Sequence, residues 1–463
     1  MRGAVEEEVP TMRRSRWSAV LAVGAVSLAG CGGVGSSDSS DDGASGAPAS
    51  LSTFGFGLPD EIATVRVKAF ESSPGGVPVK VTEGGFDEQQ FLSAVASGTP
   101  PDAVHLDRAL VGTYAARGAI QPMDQCITDE SIDMSQYRKV GVDQVTLDGK
   151  VYGIPEFNGV RVVISGDRVV EAAGLTQQEV ASGDWATLTK VNDAMTKGKG
   201  RSLQTIGYDP RIPEALPLWV AANGGSMLSD DGKTATLTDP KVVEALEFTA
   251  SLVLRAGSNA EYKAFRESTD FFGAGNQYAK DQIGAMPIDD FYLNVLADLS
   301  PDAGFSVSPF RDRSGKEINV AGGSAWAIPK GSKNPDEACR FAKVMTATDT
   351  WVAAATARAK TVRAEGGVYT GTRTGNVAAD EKIFTEVFEP TGNPALDEGV
   401  KVLDDAQETA IALPASPAGG EFDQAYKDAV TRVLDGEQTP QQALEQAQAE
   451  AQKALDAAVA GAK

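Results

Sequence analysis

Histidine is almost missing from this chain: His105 is the single one in 463 residues, beside three cysteines and no C-x-x-C pair. Zinc sites built from several histidines or from a cysteine cluster are thereby excluded. Basic residues are in short supply as well. The 42 Lys and Arg face 64 Asp and Glu, a net charge of −22, whereas a nucleic-acid partner requires a basic footprint. Beyond residue 28 no apolar run is long enough to span a bilayer. The segment GKGRS (198–202) lacks the spacing of a phosphate-binding loop, and no G-x-S-x-G elbow stands beside a plausible His partner. Asp230-Asp231-Gly232-Lys233 lacks the spaced oxygens of an EF-hand and reads as a hairpin turn. Neither a metal nor a cofactor is expected. Apolar residues make up 42 %, which supports globular folding, and the length exceeds what one core supports.

The first fifty residues carry an address. Arg13, Arg14 and Arg16 form a positive region ahead of an apolar run, Trp17–Leu28, that is too short for a membrane span. Glu6, Glu7 and Glu8 are out of place in such a signal, so Met12 is the expected start and 1–30 the expected signal peptide. Leu28-Ala29-Gly30-Cys31 resembles a bacterial lipobox, which implies cleavage before Cys31 and a diacylglycerol on its thiol. The other reading is an ordinary small-residue cleavage site with an incidental Cys. Residues 31–50, rich in Gly, Ser, Asp and Ala, cannot bury a core and read as a flexible tether with a reach of roughly 24 Å. The implied location is the extracytoplasmic face of a bacterial cell membrane, lipid-anchored.

The body alternates strands and helices. Residues 51–57 read as a strand, with Pro59 at the first position of a helix through Phe70. Val77–Val81 is a second strand, and Phe91, Leu92, Val95 and Ala96 mark a helix closed by Gly98. Ala103–Leu106 is a third strand, running into a helix over Arg108–Arg117. This order predicts an α/β fold with a largely parallel sheet. Near the end, Thr439 and Gln442 form a capping box around Pro440, and Leu444, Ala447, Ala451, Leu455 and Ala458 make an apolar stripe. That segment is a docked surface helix.

SAVASGTPPDAVHLDRALVGTYAARGAIQPMD (93–124) resembles the motif region of extracellular solute-binding proteins of bacterial sugar ABC transporters, the maltose-binding-protein-like group. DGKVYGIP (148–155), a block at 219–248, IGAMPIDDFYLN (283–294), GGSAWAIPKGSKNPDEACRFAKVM (322–345) and the closing helix follow in the family's order. The resemblance implies a two-lobed, type II periplasmic-binding-protein-like fold with crossing hinge segments and an interlobe cleft. The first α/β lobe is then 51–154 plus 326–380, and the second is 155–325 plus 381–463. Both Cys126 and Cys339 fall in the first lobe by this carry-over. The compartment permits a disulfide, and two separately buried thiols are the alternative.

Ligands of open α/β sheets bind beyond the carboxyl ends of strands. Asp107 and Arg108 occupy such an end, where a carboxylate and a guanidinium would meet sugar hydroxyls. Asp107 is equally suited to capping the next helix, and the roles are compatible. Trp326, beside Gly322-Gly323 at a crossing, is expected to stack on a pyranose. Trp219 is a second candidate, with lobe core as the other reading. Asp289, Asp290, Phe291 and Tyr292 stand where sugar binders commonly carry a Trp-containing turn, with Tyr292 and the two acids the expected contacts. Among Glu156, Phe157, Asn158 and Arg161, one or two are expected to point inward, with Asn158 a ligand contact. Arg358, Lys360 and Arg363 read as a solvated face.

The resemblance implies a monomeric, membrane-tethered carrier that closes over a sugar or oligosaccharide and delivers it to ABC permease subunits, without catalysis. Acidic residues leave two alternatives: a binder of a cationic solute such as a polyamine, or a secreted glycoside hydrolase, which needs only two suitably spaced carboxylates.

Overall fold

The computed structural model describes residues 50–461. The signal segment, Cys31 and nearly all of the tether lie outside them. Among the described residues no helix is long and apolar enough to cross a membrane.

Two sheets organise the body. The first has the order Val79–Val81, Leu51–Phe54, Ala103–Asp107, Ser324–Ala327, Ile154–Pro155. Its first three strands are parallel, as the repeated β-α order requires. The other two are a correction to the expected largely parallel sheet: Ser324–Ala327 runs antiparallel to both of its neighbours. These are the segments that pass between lobes, and a chain returning from the far lobe enters the sheet from the opposite end. The second sheet has the order Phe305–Ser308, Arg161–Gly166, Ile283–Asp289, Ile206–Tyr208, and only its last pair is parallel.

Local sequence explains the helices that flank the first sheet. Glu61–Glu71 turns Ile62, Ala63, Val67 and Phe70 inward at helical spacing. It begins two residues later than Pro59 suggested, because the Asp60 carboxylate caps it by accepting from Ala63 N at 3.3 Å. Asp107 caps the Arg108–Ala116 helix, accepting from Ala109 N at 2.9 Å. The closing helix Pro440–Gly461 buries Leu444, Ala447, Ala451 and Leu455 completely. Its capping box is reciprocal, with Gln442 N donating to Thr439 Oγ1 and Thr439 N to Gln442 Oε1. The acidic segment at 230–233 is a turn, with Leu228 and Ala235 bridged across it and Gly232 at a positive φ of 67°.

Apolar cores lie on both faces of the first sheet, and one large core surrounds the second. Cys126 and Cys339 are joined in a disulfide that ties the Asp124–Asp129 helix to Pro335–Thr346. A further cluster holds Ile62, Trp351, Tyr369, Ile383 and Val387, so the helical layer on the first sheet runs on past 380. The next helix, Pro394–Glu408, packs Leu396, Val400 and Leu403 into the core of the second sheet.

Candidate functional site

A cleft of about 690 Å³ opens between the two sheets. One wall is the loop 55–60 with Arg66, Glu83 and His105; the facing wall is Asp290, Phe291, Asn294 and Asp298. Arg358 and the loop 368–373 close its side. Gly55 is required where it stands. It has a φ of +76°, and a Cβ there would sit 2.6 Å from the carbonyl oxygen of His105.

Under the cleft lies a buried polar knot. Glu156 follows the first crossing strand and is fully buried. Its carboxylate accepts from Arg66 Nη1 at 2.5 Å, from Ser324 Oγ at 3.0 Å, and from His105 Nε2. Its own backbone bonds both to the returning strand, through Ser324 O, and to Gly375 N. Arg66 also donates to Met345 O at 3.0 Å and lies over the Trp351 ring, 3.9 Å from its centroid. Burial by itself disfavours a charged Glu156, but the charges of His105 and Arg66 outweigh it and hold the carboxyl far below its ordinary pKa. One glutamate thus fastens the first lobe to two crossing segments.

A second polar chain runs beside it. Arg108 is fully buried and donates through Nη2 to Asn158 Oδ1 at 2.7 Å and to Gly322 O. Asn158 in turn donates to Gln407 Oε1 at 2.6 Å, on a helix of the second lobe. Burial lowers the Arg108 pKa to about 10, against the opposing charge of Asp107.

These positions correct much of the expected ligand set. Trp326 is not a platform: it sits mid-strand in the first sheet with no exposed surface, its ring flanked edge-on by Phe56 at 4.9 Å and Phe341 at 4.8 Å. The crossing it marks is an interior strand, so the ring is taken up by core. Trp219 is core as well, 1 % exposed, donating from Nε1 to Pro210 O at 2.9 Å. Tyr292 is fully buried and donates to Phe271 O. Arg108 and Asn158 belong to the hinge chain just described, and Asp107 is a helix cap outside the cleft walls. Asp289 pairs with Arg161 at 3.0 Å, leaving Asp290, and Phe157 from the group after the first crossing, as the expected residues that line the cleft. Burial pushes the Asp290 carboxyl up to about 6, with Arg373 opposing and Asp289 adding to the rise.

Sequence reasoning missed Arg66, His105 and Arg373, chose Tyr292 over Phe291 as the ring of its turn, and misplaced Arg358, which lines the cleft and pairs with Glu61 at 3.3 Å. Phe291 carried a signal: an apolar ring directly after two acids, at the mouth of a helix, 43 % exposed in the structure.

Two mixed sheets joined by crossing strands, with a solvent-open cleft between them and a polar knot at its floor, define a two-lobed solute-binding protein. A model of the bacterial extracellular solute-binding proteins matches residues 66–364, more than half of the chain, and the chain belongs to that family. It is a family of binding proteins, not of enzymes. The chain is similar to the lactose-binding protein of Rhizobium radiobacter, 22 % identical over 57 % of this chain and 61 % of that one. It is likewise similar to the diacetylchitobiose binding protein DasA of Streptomyces coelicolor, 23 % identical over 62 % and 66 %. The matches thus span less than two thirds of either relative. Among solved structures, CpMnBP1 with mannotriose bound superposes with a TM-score of 0.70 at 24 % identity, covering 87 % of this chain and all of that one. The tagatose-bound solute-binding protein of Thermotoga lettingae gives 0.68 at 23 %, covering 88 % and all of that chain. At these identities the superpositions establish the fold.

Proposed function

We propose that this protein is the substrate-binding component of an ABC importer. It captures a sugar or oligosaccharide between its lobes and hands it to permease subunits as a monomer. The observation that carries this reading is the cleft itself. It is large enough for a saccharide of two or three rings, lined by carboxylates, amide and hydroxyl groups that match sugar hydroxyls, and carries an exposed aromatic face at Phe291. The hinge knot beneath it supports lobe closure, because one glutamate ties the crossing strands and Arg66 of the first lobe together at a single point.

The lipobox-like Leu28–Cys31 supports tethering: the mature chain begins at a lipid-modified Cys31 and the body stays within reach of the membrane. Relatives named for lactose and diacetylchitobiose favour a saccharide over a polyamine. The test is a thermal-shift screen over mono-, di- and trisaccharides, polyamines and amino acids. A ligand at 100 times its Kd adds about 2.7 kcal/mol of stability. Stabilisation by saccharides without turnover is the expected result; stabilisation by polyamines or amino acids alone overturns the reading.

A further inference from the structure

Besides His105, the cleft walls carry seven formally charged side chains: Asp60, Glu83, Asp290 and Asp298, with Arg66, Arg358 and Arg373. Their pairing is uneven. Each guanidinium has its own carboxylate behind the wall: Arg66 has Glu156 at 2.5 Å, Arg358 has Glu61 at 3.3 Å, and Arg373 has Asp404 at 2.8 Å. His105 leans on Glu156 as well. Among the described residues the four wall carboxylates form no ion pair. Asp60 spends one oxygen on its helix cap, and burial raises the pKa of both Asp290 and Asp298. An unpaired carboxylate in such a place stabilises an incoming cation more than a neutral hydroxyl.

The aromatic surface points the same way. Phe291 follows Asp290 directly and lines the cleft, 43 % exposed. Phe272, 61 % exposed, stacks on it with centroids 6.2 Å apart and an interplanar angle of 26°. Two large rings exposed side by side make one contiguous apolar surface, and such surfaces mark binding sites. The face of a phenyl ring attracts a cation and also covers the C–H face of a pyranose. A ring beside a carboxylate recognises a group that is at once sugar and ammonium.

We infer that the ligand is an amino-sugar oligosaccharide, a saccharide carrying at least one protonated amine, with a sugar ring over Phe291 and the ammonium against Asp290. This rests on the saccharide-binding reading above and adds the charge of the ligand to it. Asp298, Glu83 and Asp60 hold the remainder of the cleft negative, so further amines along the chain are accommodated.

The experiment is titration calorimetry on the mature protein with three disaccharides of one skeleton. These are chitobiose, which carries free amines, diacetylchitobiose, in which they are blocked, and cellobiose, which has none. Work near pH 7 keeps Asp290, raised by burial to about 6, largely ionised while the amines still carry protons. Chitobiose is expected to bind about tenfold tighter than the other two, a gap of about 1.4 kcal/mol. The gap should narrow as salt is raised. Asp290→Asn should remove most of the preference while circular dichroism stays native. Glu83→Gln, on the opposite wall, should remove less. Equal or tighter binding of diacetylchitobiose or cellobiose overturns the inference and leaves the saccharide reading standing, as does a preference unchanged in Asp290→Asn. Binding of no disaccharide, lactose and mannobiose included, overturns the saccharide reading and this inference with it.

Discussion

The only histidine of the chain donates its one strong side-chain contact to a hinge glutamate: His105 Nε2 is bonded to Glu156, while Nδ1 faces the carbonyl of Gly55 at 3.1 Å. His105 lies on the first sheet and borders the cleft; Glu156 lies on the crossing. Ligand space and hinge therefore meet through His105, with Arg66 beside it.

That pair makes stability pH-dependent with a definite sign. Burial favours the neutral ring, but the charge and bond of Glu156, with the Gly55 carbonyl, outweigh it, and Arg66 opposes them. The His105 pKa ends above its ordinary value. Its contribution is whole below the unfolded pKa of about 6.5 and is lost as pH rises through the higher folded value. Urea unfolding of wild type should show a decline in stability above neutrality. In His105→Gln that part of the decline should be absent. Identical pH profiles for the two proteins would reject the linkage.

Glu156→Gln keeps the shape of the side chain and removes its charge. Arg66, 1 % exposed, is then a buried cation without a counterion. The expected loss is about 3–5 kcal/mol in chemical denaturation. Adding Arg66→Met should restore a large part, because the stranded charge goes with it. A single-mutant loss under about 1 kcal/mol would show that the knot is not electrostatically coupled.

Trp326 and Phe291 should separate stability from binding. Trp326→Ala opens a cavity between Phe56 and Phe341 and should cost about 3–5 kcal/mol of stability. Phe291→Ala, on an exposed ring, should leave the melting temperature nearly unchanged and weaken saccharide binding by about tenfold or more. The reverse pattern would return the platform role to the tryptophan.

The Cys126–Cys339 bond closes a loop with a sequence separation of 213. Replacing both by Ser should lower stability by about 2–4 kcal/mol through the unfolded chain. Thiol titration of the unfolded, unreduced mature protein should find neither of them free; two titratable thiols would exclude the bridge.

Membrane tethering has its own test. Mass spectrometry of detergent-extracted protein should show a chain beginning at a lipid-bearing Cys31. Cys31→Ala should move the protein into the medium, and an unchanged membrane fraction would reject the anchor.

The sequence by itself determined the secondary elements and the family. Both follow from short-range chemistry: Asp60 and Asp107 cap helices because a carboxylate meets the amides next to it in the chain. The stripe at Leu444–Leu455 is buried because its spacing matches the helix. Asp290 was legible as a cleft residue through its place in the IGAMPIDDFYLN block. What only the tertiary structure decided was which side chains of the crossing strands and their neighbours reach the cleft. Trp326 and His105 are register partners on central strands of the first sheet, so their rings share a face, 5.0 Å apart, yet one is sealed between Phe56 and Phe341 while the other reaches the cleft. Alternation along a strand assigns a face but leaves open which of its positions will be covered, because the rings that seal Trp326, Phe56 and Phe341, come from segments far away in the chain. The pairing of Arg66 with Glu156 was equally hidden, since partners 90 residues apart share no local signal. Long-range packing chose them, by leaving one buried carboxylate where one buried guanidinium needed it.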